Sequence, residues 1–311
     1  MMRCLILGGG GFIGTNLCEA LAQAEHEVRV FDRPNLKRPD IPSVASGRVE
    51  WQEGDFGNVD DVAKAITGCE VVFDLIGTTT PKTSNDNPAY DVESNLLPTV
   101  RMLDAAKQNS VRKVIFVSSG GTVYGVPRTT PIAETHETNP LCSYGIIKLA
   151  TEKYLQLFHH LHGLEYTVLR VSNPYGEHQR VAAAQGAVAV FLNRAIMQQP
   201  VEIWGDGSVV RDFIYVGDVV RALMTCVSYQ GDQRVFNVGS GVGLSLNDLL
   251  AAIERLLGRP VQRAYLARRP VDVPVNILDT SLAARELGWR PETEFGEGLR
   301  RTLGWIQRVR K

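Results

Sequence analysis

Long apolar runs are missing from this chain. No stretch approaches the ~20 consecutive hydrophobic residues that a membrane-spanning helix needs, and the apolar residues fall instead into short blocks. Cysteine is scarce. The five present (Cys4, Cys18, Cys69, Cys142, Cys226) are odd in number, scattered, and form no C-x-x-C pair, which argues against a disulfide framework and a thiolate zinc site. They read as small buried hydrophobes, with Cys142 closest to the residues discussed below. An excess of either charge is absent too: 33 Lys+Arg face 34 Asp+Glu, a net charge of −1. Neither a nucleic-acid nor a membrane-surface partner is expected from that balance. There is no internal repeat and no low-complexity segment. Met1-Met2-Arg3 runs straight into a short apolar strand, so no secretory signal is expected and a cytoplasmic location is.

What is present is 311 residues with 44% hydrophobic composition, enough to bury a large core. The run Arg3-Cys-Leu-Ile-Leu reads as a buried strand and ends in Gly8-Gly-Gly-Gly-Phe-Ile-Gly14 before a helical pattern at Leu17, Ala20, Leu21 and Ala24. Strand, glycine turn and helix in that order suit a pyrophosphate. Gly8, Gly11 and Gly14 permit the tight turn and the close approach, and the positive end of the helix faces the anion. A second strand, Glu27-Val-Arg-Val-Phe31, ends at Asp32, eighteen residues after Gly14. A carboxylate there suits a free ribose 2′-hydroxyl and repels a 2′-phosphate, which favours NAD, while the adjacent Arg33 keeps NADP open. After the strand at Val49, Gly54-Asp55-Phe56 offers a carboxylate to an adenine amino group.

Strand and helix patterns then alternate: strands at Val71–Ile76, Lys113–Val117 and Tyr166–Arg170, helices at Asp60–Thr67, about Pro88–Asn109, and from Ser143 onward. Such alternation predicts an α/β fold with a doubly wound parallel sheet, and ligands at the carboxyl ends of its strands. Gly8–Gly14, Asp32, Asp55, Gly77, Ser118–Ser119 and Asn173 all fall at those ends. Beyond Asn173 the pattern is irregular. The expectation is a dinucleotide-binding Rossmann domain over residues 1–172, with a segment at about 210–236 returning to it. A smaller mixed α/β substrate-binding region takes 173–311.

Tyr144 and Lys148 sit four apart on an expected helix, on one face, with Cβ atoms about 5–6 Å apart. An ammonium beside a phenol favours the phenolate, whose unperturbed pKa is about 10. Such a tyrosine can take and return a proton at a sugar or alcohol hydroxyl. His159, His160 and His162 lie on different faces of the same helix with no further ligand type beside them, so no metal is expected. The Arg300-Arg301 and Arg308–Lys311 charges read as a solvated helix face.

Assembled in order, several stretches resemble the extended short-chain dehydrogenase/reductases, and within them the NAD-dependent sugar-nucleotide epimerase/dehydratase family, with UDP-glucose 4-epimerase-like proteins nearest. They are the glycine turn, Gly54-Asp55, Ser118-Ser-Gly-Gly-Thr-Val-Tyr-Gly125, Tyr144-x-x-x-Lys148, Asn173-Pro-Tyr-Gly176, Gly205-Asp-Gly-Ser-Val-Val-Arg-Asp-Phe213 and Phe236-Asn-Val-Gly-Ser. The resemblance spans essentially the whole chain. It implies NAD held by Gly8, Gly11, Phe12, Ile13, Gly14, Asp32, Arg33, Asp55, Phe56, Leu75, Ile76, Gly77, Asn95, Ser118, Tyr144 and Lys148. It further implies 4-epimerisation of a UDP-hexose through a transient 4-keto sugar, with Tyr144 as acid and base, Lys148 lowering the phenol's pKa, and a homodimer built on the helices at 88–109 and 144–162.

Departures from the family pattern bear on chemistry. Relatives carry Ser or Thr where this chain has Gly120, so the hydroxyl beside the reacting group is expected from Thr122 first and Ser119 second. Dehydratases resemble Asp-Glu at positions 121 and 122, and Gly121-Thr122 lacks that acid and base. For the nucleotide, the resemblance points to Asn173, Arg211, Arg269 and Asp272, although Arg211-Asp212 also reads as an ordinary ion pair in a turn, and Val271 replaces a family glycine. For the sugar, Asn276 stands where glucose-restricted relatives have a tyrosine, leaving room for a larger C2 group. Arg180 lies near an arginine that relatives use for a glucuronate carboxylate. Two other classes stay open: a sugar-nucleotide reductase or dehydrogenase, and a non-catalytic NAD-sensing protein.

Overall fold

The structure is a computed structural model that describes residues 1–179, 186–267 and 273–310. Its amino-terminal elements are β1 (Arg3–Leu7), α1 (Phe12–Gln23), β2 (Glu27–Asp32), α2 (Pro42–Ala45), β3 (Val49–Glu53), α3 (Val59–Ile66) and β4 (Val71–Asp74). Next come α4 (Pro88–Asp91), a π-helical turn (Val92–Leu96), α5 (Leu97–Gln108), β5 (Lys113–Ser119), α6 (Ser143–His162), β6 (Glu165–Val171) and β7 (Asn173–Tyr175). The remainder is α7 (Ala187–Ile196), β8 (Val201–Trp204), β9 (Val210–Tyr215), α8 (Val216–Ser228), β10 (Val235–Val238), β11 (Gly243–Ser245), α9 (Leu246–Leu257), β12 (Arg263–Leu266), β13 (Val275–Asn276), α10 (Ser281–Glu286) and α11 (Phe295–Val309).

Seven strands form one parallel sheet in the order β10-β6-β5-β4-β1-β2-β3. β1 lies inside the sheet between β4 and β2, and its Cys4, Leu5, Ile6 and Leu7 are wholly buried. A strand covered on both faces has no use for alternation, and Cys-Leu-Ile-Leu shows none. One face packs α1 and α8 in a core with Leu17, Leu21, Val219 and Leu223. The other packs α3, α5 and α6 with Ile66, Met102, Leu103 and Leu155. The order of strands reverses between β1 and β4, so the crevice where a ligand is expected opens there.

Local chemistry sets several element ends. Asn58 caps α3, its side chain accepting from the Asp60 and Asp61 N–H groups. Ser245 and Asp248 form a reciprocal capping box on α9. Gly163, at φ 69°, ends α6 in the left-handed conformation. Pro98 has no N–H to offer the Ser94 carbonyl, and the helix widens by its π turn just ahead of it.

The second unit is built on β9, flanked by β11 and β13 and paired in parallel with β7; β8 and β12 form a separate parallel pair. The segment that returns to the large sheet is Val216–Val238: α8 covers α1, and β10 becomes the edge strand beside β6. Residues 210–215 instead are β9 of the second unit.

Candidate active site

The glycine turn closes on itself at the end of β1. Gly8 has φ +80°, and the Gly11 N–H bonds the Gly8 carbonyl at 3.0 Å. A Cβ on Gly14 would stand 2.4 Å from the Gly8 oxygen, so only glycine lets α1 lie this close to the strand. Gly11 sits at the N-cap of α1 with no side chain capping it, which leaves the positive end of the helix to an anion. Asp32 leans over this turn from β2, one oxygen taking the Gly10 N–H and the other the Arg33 N–H, both at 2.9 Å. Phe12 and Ile13 are half-buried against the core below. Asp55 and Arg33 are exposed at the neighbouring strand ends, with Phe56 half-buried. Across the switch point, Leu75 donates to Leu7 O at 3.1 Å, and Ile76 and Gly77 line a pocket with Tyr144 and Lys148. The cradle of glycines, the uncapped helix end and the carboxylate at the end of β2 fit a dinucleotide.

Asn95 lies in the π turn. It is 9% exposed, its oxygen accepts the Thr78 N–H at 2.9 Å, and its nitrogen donates to Thr78 Oγ1 and Asp91 Oδ1. Its place is therefore inside, fastening the loop after β4 to the helix, and not on the helix surface.

Tyr144 and Lys148 share a face of α6, with the Lys148 Nζ 5.7 Å from the Tyr144 ring centre and 4.6 Å from that of Phe116. Lys148 donates to the Val117 carbonyl at 2.9 Å. Burial lowers its pKa, opposed by the charges of Asp74, Asp91 and Glu152. The phenol of Tyr144 is pushed up to about 12, first by burial and then by Cys142 and Asp91. Lys148, whose ammonium is engaged with the Val117 carbonyl, is not among the groups that act on the phenol, and burial sets the direction. Asp74, at the end of β4, is pushed up to about 6 by burial, with Lys148 and the Ile76 N–H pulling it back.

The loop after β5 differs from expectation at Ser118 and shows the surroundings of Ser119, Gly120 and Thr122. Ser118 is buried and gives its hydroxyl to Glu152 at 2.5 Å, so its side chain turns into the protein and away from the crevice. The Glu152 carboxylate, one turn beyond Lys148, also holds Arg170 at 2.6 Å, and Arg170 reaches the Tyr124 hydroxyl at 3.0 Å. Thr122 Oγ1 is sealed from solvent and has no hydrogen-bond partner. Gly145 brings α6 so close that an ideal Cβ there would lie 3.2 Å from Thr122 Cβ. Ser119 is half-buried at the strand end. Gly120 has no space for the missing hydroxyl, because a Cβ would meet Leu278 Cδ1 at 2.5 Å.

In the second unit, β7, β9 and β13 bring Asn173, Arg211 and Asn276 onto adjacent strands. Asn173 donates to the Asp212 carbonyl at 3.1 Å, and Arg211 Nη1 donates to the Val210 and Val273 carbonyls. Asp212 is fully buried and accepts from Ser172, Ser240, Gly241 and Leu278, a clamp between strands and loops. The Oδ1 of Asn276 is buried without a hydrogen-bond partner. The residue is 1% exposed and donates to the Gly120 carbonyl at 3.0 Å, which ties β13 to the β5 loop. Arg180, Arg269 and Asp272 lie outside the described residues.

Residues 4–239 match the sequence profile described as the NAD dependent epimerase/dehydratase family. The chain belongs to that family. It is 34% identical to a UDP-glucose 4-epimerase of Mycolicibacterium smegmatis over 98% of this chain and 99% of that protein. It is 33% identical to a dTDP-4-dehydro-6-deoxyglucose reductase of Escherichia coli over 97% of each. The crystal structure of the UDP-glucose 4-epimerase of Thermotoga maritima with UDP-glucose superposes at a TM-score of 0.94, with 33% identity and complete coverage of both chains.

Within this family member, reading the sequence overlooked Asp74, Asp91 and the Glu152–Arg170 pair. Two of them carried a signal: Asp91 and Glu152 each stand four residues along a helix from a residue already singled out, Asn95 and Lys148. No cluster of metal-ligating side chains occurs among the described residues, nor any helix long and apolar enough to cross a membrane.

Proposed function

We propose that the protein is an NAD-dependent 4-epimerase of a UDP-hexose, acting as a homodimer in the cytoplasm. The observation that carries this reading is the Tyr144–Lys148 pair, set on α6 beside the pocket that Ile76 and Gly77 also line at the switch-point crevice. NAD would be held by the glycine turn, Asp32 and the residues around Gly77, and when bound it supplies a hydride acceptor and donor. Tyr144 takes the proton from the sugar 4-hydroxyl and returns it to O4 once the flat 4-keto sugar has turned over and presents its other face to the hydride donor. Lys148 anchors the Tyr144 side of the crevice through the Val117 carbonyl and adds a positive charge near the phenol. Ser119, whose hydroxyl lies half-buried at the end of β5, is the better placed of the two candidates to hold the reacting hydroxyl. Asn173 and Arg211 stand on the strands proposed for the nucleotide, and Arg269, Asp272 and Arg180 are assigned to diphosphate, uridine and sugar from the resemblance alone. All five cysteines are free thiols, as a reducing compartment requires.

The homodimer reading rests on α6. Ile146, Tyr154, Leu157 and Leu161 are exposed at spacings that place them on one stripe, opposite the face that carries Tyr144 and Lys148, and Leu97 is exposed on α5. A second reading has one observation in its favour: the 33% identity to a sugar-nucleotide reductase over the same length. Proton NMR of the purified protein with UDP-glucose, UDP-N-acetylglucosamine and UDP-glucuronate, with absorbance of reduced nicotinamide followed in parallel, separates the two. The epimerase reading requires a galacto-configured product and no net cofactor change, and Tyr144→Phe lowering turnover by about 10²- to 10⁴-fold. Stoichiometric cofactor consumption, or no product from any of the three, overturns it.

A further inference from the structure

Asp91 ends α4, is 1% exposed, and has no part in the reaction as described above. One carboxylate oxygen accepts Thr79 Oγ1 at 2.6 Å and Asn95 Nδ2 at 2.9 Å; the other accepts Ser143 Oγ at 2.7 Å. Three donors on two oxygens is the pattern of an anion acting as acceptor only. The donors come from three separate elements: the loop after β4, the π turn, and the first residue of α6. Ser143 directly precedes Tyr144, and its N–H is held in turn by Asn85 Oδ1 at 2.9 Å. Asp91 also lines the same small pocket as Tyr144 and Lys148. The groups that act electrostatically on Tyr144 are Cys142 and Asp91, and those on Lys148 are Asp74, Asp91 and Glu152. Asp91 is common to both.

We propose that Asp91 is a positioning residue for the Tyr144–Lys148 pair: its buried carboxylate ties the loop at 77–79 and the start of α6 into one unit and sets a negative charge beside both side chains. The proposal rests on the epimerase reading in taking Tyr144 as the acid and base, but its physical content concerns the empty protein as well. A carboxylate near a phenol opposes ionisation, so the same tether that aligns Tyr144 also delays its deprotonation. Alignment and basicity are therefore set against each other by a single residue.

The test pairs Asp91→Asn, which keeps shape and removes charge, with Ser143→Ala, which keeps the charge and removes one tether. In protein carrying ¹³Cζ-labelled tyrosine, the Tyr144 resonance is identified by its loss in Tyr144→Phe. With Asp91→Asn it should titrate at a pH lower by about half a unit or more, and the acid limb of the kcat profile with the accepted UDP-sugar should move the same way. With Ser143→Ala the titration should stay in place while kcat falls about tenfold and KM stays within about twofold, the result of a misaligned base. A Tyr144 resonance that does not move in Asp91→Asn overturns the electrostatic half. Unchanged kcat in Ser143→Ala overturns the positional half, and that variant decides the proposal if Asp91→Asn does not fold. If the parent protein epimerises no UDP-sugar, the functional reading fails while the NMR titration still answers for Asp91.

Discussion

Two buried side chains show how far a residue's neighbours govern its chemistry. Asp74 is 1% exposed, and burial lifts its carboxyl from 3.8 to about 6. Between those values the folded protein binds a proton that the unfolded chain has released, so stability falls as pH rises across that window. At pH 7 the full cost, about 3 kcal/mol for a rise from 3.8 to about 6, is in force. Asp74→Asn should match the parent below pH 4 and exceed it above pH 6 by up to about 2–3 kcal/mol, read as the difference between urea unfolding curves across the range. A difference flat in pH would mean that Asp74 does not titrate there. The paired variant matters because Glu19, Asp248, Glu254 and Glu297, whose carboxyls are lowered, give the parent an opposite slope. Spacing alone pointed to Gly8, Gly11, Gly14, Asp32 and the Tyr144–Lys148 pair, because each pattern rests on residues near one another in sequence. The rise at Tyr144 was hidden, since it comes from burial. So was the crowding at Gly120, since Leu278, which fills the space, is 158 positions away.

At the scale of elements, the join between α6 and the sheet rests on polar groups inside an apolar layer. Arg170 on β6 and Glu152 on α6 are 7% and 4% exposed at their side chains and meet at 2.6 Å, with Ser118 and Tyr124 completing the set. Removing one partner leaves the other charge stranded. Arg170→Met should therefore destabilise the fold by about 3–5 kcal/mol, whereas Arg170→Met with Glu152→Leu should recover much of that loss. Chemical unfolding of the three proteins measures both quantities. A double variant no better than Arg170→Met would show that the hydrogen bonds to Ser118 and Tyr124, more than the charge, hold α6 in place. The alternation of apolar blocks with helical periodicity made β1 through β6 legible, because a parallel sheet buries whole strands and its crossovers need long helices. The short strands β7, β11 and β13, of two or three residues each, left no such mark. Their pairing is decided by β9, to which all three attach from distant parts of the chain.

Taken whole, the molecule gives α6 two faces of opposite character. One face carries Tyr144, Lys148 and Glu152 inward; the other presents Ile146 at 54%, Leu157 at 43% and Leu161 at 59% exposure to solvent. A stripe of that kind on a monomer leaves apolar area in water at about 25 cal/mol per Å², which a second copy packed through α5 and α6 would remove. The same packing would brace the backbone that aligns Tyr144, from the side opposite the crevice. Leu157→Glu with Leu161→Glu should then give a monomer in sedimentation velocity where the parent sediments as a dimer. Thermal stability should fall, and it should become independent of protein concentration. Because these side chains point away from the crevice, bound NAD should be retained, so the defect appears first in assembly and only then in turnover. A parent that sediments as a monomer at micromolar concentration would remove the dimer from the proposal, and α6 would have to hold its catalytic face through the sheet alone.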